Sequence, residues 1–203
     1  MRYRAGYFAF LAVLLFFLSA CGAATPIAPA ASTTPTAFPL TITDDRGKQV
    51  TFSAPADRIV SVAPSSTEIV FALGAGGRIV AVDDYSDFPA EAKALPKVGG
   101  FRASAEKVLS FQPDLILAVT GDLAPALEAQ GQRVVVFDPT DIEGVYKNIE
   151  VLGAVLDRKT EARDMVQRMR DRIGAVVDRA KTATSRPRVL HELDASDPTK
   201  IFV

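Results

Sequence analysis

Histidine, cysteine and tryptophan are almost missing from this chain. Its 203 residues hold one histidine, one cysteine and no tryptophan. Each scarcity excludes something. With Cys21 alone, no internal disulfide can form. A histidine metal cage or a Ser-His-Asp triad would have to run through His191, and no GxSxG, HExxH or CxxC motif stands anywhere in the chain. No metal site, no cofactor and no catalytic constellation are therefore expected, and the chain reads as something other than an enzyme. Charge of one sign is lacking as well. The 23 basic and 24 acidic residues leave a net charge of −1, so nothing points to a nucleic-acid partner.

What is present begins with an address. Arg2 and Arg4 precede an uncharged, largely apolar run from Gly6 to Ala20. A charged start, a short apolar core and small residues before a cut site describe an export signal. The run is too short to span a bilayer comfortably, which takes about 20 apolar residues. Leu18-Ser19-Ala20-Cys21 resembles the lipobox of bacterial lipoproteins. That resemblance implies lipid on Cys21, a mature N-terminus there, and an extracytoplasmic protein anchored to the cell membrane. A plain signal peptide, or a membrane anchor with an incidental cysteine, is the other reading of the same residues. Residues 22–39 are mostly small residues and prolines. They cannot bury a core and are expected to be a disordered tether.

Beyond the tether, Thr41-Ile42-Thr43 and Gln49-Val50-Thr51-Phe52 flank Asp44-Asp45-Arg46-Gly47, which predicts a β-hairpin. Four short β-branched runs follow, around 59–62, 78–82, 114–119 and 133–137, separated by helical stretches at 66–73, 103–111 and 123–130. Strands alternating with helices predict an α/β fold with a mostly parallel sheet flanked by helices, and the unbroken apolar strands fit a sheet covered on both faces. Two longer helices come next. Ile142, Val145, Ile149, Leu152 and Leu156 form the stripe of the first; Ala162, Met165, Met169, Ile173, Val176 and Ala180 form that of the second, over Thr160–Lys181. Arg188–Leu193 then reads as the start of a new strand. The expected organisation is a signal at 1–21, a tether at 22–39, an N-terminal α/β lobe at 40–158, a long interdomain helix at 159–184, and the incomplete opening of a second lobe at 185–203.

Ligands of open parallel sheets bind beyond the carboxyl ends of the strands. Those ends lead into Ala63-Pro64-Ser65-Ser66, Asp83-Asp84-Tyr85-Ser86, Thr120-Gly121-Asp122 and Asp138-Pro139-Thr140, with Val98-Gly99-Gly100-Phe101-Arg102 expected nearby. Tyr85, Phe101 and Arg102 are the large side chains among them. An aromatic pair with one cation suits a flat, partly anionic organic ligand; ordinary packing is the competing role for each ring. Gly74-Ala75-Gly76-Gly77 ends a helix and precedes a strand, the wrong context for a dinucleotide fingerprint, and Gly74 reads as a helix C-cap.

The stretch from Arg58 through Ala63-Pro64-Ser65-Ser66-Thr67-Glu68 to Gly74 resembles the opening of substrate-binding proteins of ABC importers for cobalamin, ferric siderophores and haem. The similarity continues through Tyr85-Ser86-Asp87-Phe88-Pro89, Leu95-Pro96-Lys97-Val98-Gly99-Gly100 and Gln112-Pro113-Asp114-Leu115-Ile116. It implies two α/β lobes joined by one long helix, with ligand in the cleft between, and a chain here that lacks most of its second lobe. It implies ligand contacts from Pro64, Ser65, Tyr85, Phe101 and Arg102, and docking of Glu68 onto an arginine of the permease subunit. Ser65 and Glu68 also have the spacing of a capping box, a purely local role for the same glutamate. Tyr85-Ser86-Asp87-Phe88-Pro89 is similar to the Tyr-Ser-Asp-Tyr-Pro of corrinoid binders. Haem binders often place an iron-ligating tyrosine where this chain has Phe88. The implied ligand is a cobalamin-type corrinoid first, then a ferric siderophore, then haem; a membrane-anchored α/β enzyme is the remote alternative.

Overall fold

The computed structural model describes residues 36–100, 103–119 and 123–188, all within the unit Pro35–Val203. Among them the order is β1 (Leu40–Thr43), β2 (Gln49–Phe52), β3 (Ile59–Ser61), α1 (Pro64–Ala72), β4 (Ile79–Val82) and α2 (Ala90–Lys93). It continues with α3 (Ala105–Leu109), β5 (Leu115–Ala118), α4 (Leu123–Glu128), β6 (Val134–Val136), α5 (Ile142–Val155) and α6 (Lys159–Lys181). The expected signal, Cys21, His191 and the strand from Arg188 onward lie wholly or largely outside the described residues.

β4, β3, β5 and β6 form a parallel sheet in that order. The fold is therefore α/β, as the alternation of runs predicts. Because neighbouring residues of a strand point to opposite faces, each strand feeds two cores. Ile59, Leu115, Leu117 and Val135 pack with Val70 of α1, Leu73 just after it, and Ile149 and Leu152 of α5. Val60, Ile116, Ala118, Val134 and Val136 pack with Val108 of α3 and Leu127 of α4. Both faces are covered, which is why no polar residue interrupts β5 or β6.

β1 and β2 pair antiparallel, with Leu40 opposite Phe52. Their turn is closed by one carboxylate. Asp44 accepts the backbone N–H groups of Arg46 and Lys48, each at 3.0 Å, and the Arg46 guanidinium at 3.0 and 2.6 Å. The same turn is fastened to β6. Val136 N donates to Asp44 Oδ2 at 3.3 Å, Asp45 N donates to Val136 O at 3.2 Å, and Asp138 N donates to Asp45 Oδ2 at 2.8 Å.

α5 and α6 form an antiparallel pair. Arg170 of α6 holds Glu143 of α5 through two bonds, 2.8 and 2.6 Å, and lies 4.3 Å from the Tyr146 ring. The stripe expected on α6 is packed for half its length. Ala162 is buried and Met165 and Met169 lie against the core, whereas Ile173, Val176 and Val177 are exposed. Ile142, expected in the α5 stripe, is exposed in the first turn, and Tyr146 takes the buried position one turn on. Residues 36–39, assigned to the tether by composition, are instead held by the domain. Thr36 is buried and its N–H donates to Asp157 Oδ1 at 2.8 Å, and Phe38 packs on the core. Polar composition missed this because one hydrogen bond and one ring suffice to anchor four residues.

Candidate functional site

The strand order β4-β3-β5-β6 means that the chain leaves β3 first to one side and later to the other. The crevice of a parallel sheet opens at such a reversal, beyond the carboxyl ends of the two strands concerned. Here those strands are β3 and β5. The loop after β3 brings Ala63, Pro64 and Ser65; the residue after β5 is Val119. The adjacent loop after β4 carries Tyr85 and Phe88. This end of the sheet presents large apolar side chains to solvent: Tyr85 is 55% exposed, Phe88 65% and Val119 47%. Exposed side chains of this size on neighbouring loops are surface that a ligand could cover.

Pro64 and Ser65 are exposed at the start of α1, and Tyr85 is exposed beyond β4. Phe101 and Arg102 lie outside the described residues. The chain on either side of them is placed: Ala103 N donates to Gly100 O at 3.0 Å. Gly100 sits directly against Tyr85. A Cβ on Gly100 would lie 2.9 Å from Tyr85 Cε2 and 3.1 Å from its hydroxyl oxygen.

The loop bearing Tyr85 is held from below by buried polar groups. Asp83 Oδ1 accepts the N–H of Tyr85 at 2.6 Å and of Ser86 at 3.0 Å, and Oδ2 accepts the Ser86 hydroxyl at 2.7 Å. Ser86 Oγ lies 2.9 Å from Thr67 Oγ1 in α1, which lies 2.9 Å from Ser61 Oγ at the end of β3. The Ser61 hydroxyl reaches Ala63 O at 3.1 Å. Lys97 adds a clamp from the other side, its Nζ donating to Ser86 O at 2.8 Å. Asp83, Ser86, Thr67 and Ser61 are all buried, so each bond is shielded from water and costly to lose. These residues were not anticipated. The signal available was local: an Asp whose carboxylate captures the N–H groups two and three residues on is an Asx-type turn.

α1 begins differently from the capping-box expectation. Its N-cap is Ala63, with no side-chain cap bond, and Pro64 occupies the first turn. Proline at that place has its φ preset and no N–H to satisfy. Ser65 is already inside the helix, so its spacing to Glu68 has no capping meaning. Glu68 is exposed and makes no hydrogen bond or ion pair among the described residues. At the far end Gly74, φ +72°, follows the helix as a left-handed terminator, with Ala75 N donating to Val70 O at 3.0 Å. Among the described residues no three His, Cys, Asp or Glu side chains gather as a metal site requires.

A doubly covered parallel sheet with an apolar, loop-lined carboxyl end is the architecture of a periplasmic-binding-protein lobe. Residues 59–202 match the periplasmic binding protein family, and the chain belongs to it. It is 33% identical over 190 residues to an uncharacterized ABC transporter substrate-binding lipoprotein, YvrC, of Bacillus subtilis, across 90% of this chain and 60% of that protein. It is 33% identical over 138 residues to a vitamin B12-binding protein of Yersinia pestis, across 66% of this chain and 49% of that one. Among solved structures, an ABC-type Fe3+-hydroxamate transport system from Saccharomonospora viridis superposes with a TM-score of 0.62 at 30% identity, covering 70% of this chain and 57% of the other. The chain thus spans about half to three fifths of the length of the curated relatives it matches.

Proposed function

We propose that this chain belongs to the extracytoplasmic solute-binding component of an ABC importer, which captures a cobalamin-type corrinoid and hands it to the membrane permease. The observation that carries the reading is the exposure of Tyr85, Phe88 and Val119 on the loops beyond β4 and β5, beside the reversal point of the sheet, in a chain 33% identical to a vitamin B12-binding protein. A corrin ring is broad and largely apolar on its faces, and such rings stack on aromatic side chains. Pro64 and Ser65 line the same mouth, and Phe101 and Arg102 complete it, the guanidinium pairing with an anionic group of the ligand. Residues 40–158 are then one wall of the cleft, the helix within 159–184 the connector, and 185–203 the opening of the opposite lobe. Glu68, exposed on α1, is the contact to the permease. Cys21 carries the lipid that anchors the protein outside the cytoplasm. The protein binds and delivers; it does no chemistry on its ligand.

A ferric siderophore is the second reading, favoured by the likeness at 30% identity to the Fe3+-hydroxamate system. Equilibrium dialysis against cyanocobalamin and against a panel of ferric hydroxamates, read by visible absorbance, separates the two. Saturable retention of cyanocobalamin is the expected result. Retention of a ferric hydroxamate with none of the corrinoid would replace the first reading by the second.

A further inference from the structure

We propose that Thr67 is a positioning residue for Tyr85, acting through Ser86 and Asp83. The inference deepens the ligand site proposed above and rests on that reading for its purpose. Among the described residues, Asp83 and Gly100 both bear on Tyr85. Its backbone N–H is held at 2.6 Å by Asp83, whose other oxygen takes the Ser86 hydroxyl at 2.7 Å. Its ring lies over Gly100, where a missing Cβ leaves the space it occupies. The ring of a 55%-exposed tyrosine is thereby seated before any ligand arrives, and a preformed contact spares the ordering that binding otherwise costs.

Thr67 is the member on which this seat turns. The Ser86 proton is committed to the Asp83 carboxylate, which can only accept. The Ser86 oxygen can then only accept from Thr67, at 2.9 Å, and the one Thr67 proton is shared with Ser61 Oγ at 2.9 Å and Ala63 O at 3.2 Å. Thr67 in turn touches Ser61, so one side chain in the first turns of α1 joins the end of β3 to the loop after β4. All four side chains are buried. A Thr67 methyl in place of the hydroxyl removes that shared proton, so Ser61 and Ser86 lose their common polar partner and the Ser86–Asp83 pair loses its tie to α1. The disturbance passes to the Tyr85 N–H two bonds away, while the sheet hydrogen bonds stay as they were.

The test needs a readout that ordinary loss of packing does not move. The chain has four tyrosines, and Tyr146, buried beneath Arg170, reports on the fold. The full chain is labelled with 3-fluorotyrosine, and the Tyr85 resonance is assigned with Tyr85→Phe. In Thr67→Val the Tyr85 fluorine resonance is expected to shift or split by more than its linewidth, with Tyr146 unchanged, and Thr67→Ser is expected to restore it. If Thr67→Val also displaces Tyr146, Ser86→Ala, which cuts the same chain at the loop, is read instead. An unmoved Tyr85 resonance in the variant read, or a Thr67→Ser spectrum matching Thr67→Val, overturns the proposal. Adding cyanocobalamin to the unsubstituted chain tests the ligand reading separately. A Tyr85 resonance that ignores cyanocobalamin counts against the corrinoid, whereas the positioning role stands or falls on the spectra without it. Where cyanocobalamin does move the resonance, Thr67→Val is expected to weaken its binding about tenfold, equivalent to ~1.4 kcal/mol.

Discussion

Gly153 of α5 and Ala162 of α6 touch so closely that a side chain on residue 153 would have to occupy the place of the Ala162 methyl. The Arg158 carbonyl oxygen, 3.0 Å from the same point, is backbone and cannot swing aside. Two effects oppose each other in Gly153→Ala. Helix propensity favours alanine by about 1 kcal/mol. Overpacking against a fixed neighbour costs about 1–3 kcal/mol. The clash is with a buried methyl and a backbone carbonyl together, which puts the cost at the upper end of that range, and a net loss of up to about 2 kcal/mol is expected. The urea midpoint of the variant measures it; a midpoint at or above that of the parent would show that the two helices can separate at no cost.

Asp44 is the largest single polar commitment in the hairpin. Its carboxylate is fully covered and accepts from three backbone N–H groups and one guanidinium. Asp44→Ala strands those donors, and breaking a buried, hydrogen-bonded ion pair costs about 3–5 kcal/mol. Asp44→Asn keeps the shape and part of the acceptance and is expected to cost roughly half as much. Chemical denaturation of the two variants orders them, and equal losses would mean that the charge is irrelevant.

Acid should loosen the same region. Burial raises the Asp45 carboxyl, but hydrogen bonds from Asn148, Asp138 and Lys147 outweigh it and hold the group below its ordinary 3.8. Burial likewise raises the Glu128 carboxyl, but bonds from Lys48 and Arg46 outweigh it and hold the group below its ordinary 4.5. Both folded values lie under the unfolded ones, so the folded state is favoured where both forms are ionised. That contribution is complete above about pH 5 and is lost as pH falls through the folded values. Thermal midpoints should therefore be level from pH 5 to 7 and drop below about pH 4. In Glu128→Gln the drop should be shallower; an identical acid limb would assign the loss to other carboxylates.

Glu68→Gln is expected to change stability by less than about 0.5 kcal/mol, because the side chain is exposed and caps nothing. In a strain whose corrinoid uptake depends on this protein, uptake should fall sharply. Normal uptake would remove Glu68 from the permease contact.

Cys21→Ala should release the protein from the membrane fraction when it is expressed in a bacterial host. A single acyl chain anchors marginally and two anchor stably, so the parent protein should resist a salt wash. Unchanged membrane association of the variant would mean that something other than a lipid on Cys21 holds it there.

The sheet was legible because its strands are β-branched runs that carry their own boundaries, as at Val134–Val136. α5 and α6 were legible from their stripes, to within a residue or two at the ends. α2 was not: four residues have no periodicity to read. The start of α1 was misread because a Ser-x-x-Glu spacing outweighed the proline beside it, although proline states its preferred place more firmly than serine does. The positions of Pro64, Tyr85 and Val119 at the sheet's carboxyl end follow from strand order. The support beneath Tyr85 does not, because Thr67 meets Ser61 six residues before it and Ser86 19 residues after it, and only the fold brings them together.

The fastening of the hairpin turn to β6 has a consequence for how this protein behaves in company. β6 is the outermost strand of its sheet, and an outermost strand offers its backbone to any stranger of similar shape. Here both the N–H and the C=O of Val136 already have partners, supplied by Asp44 and Asp45. The side of β6 that a second molecule would need is occupied by a loop too tightly turned to be extended into another strand. Two aspartates thus hold the end of that edge at Val136, so a second copy would have to displace them before it could continue the ladder there.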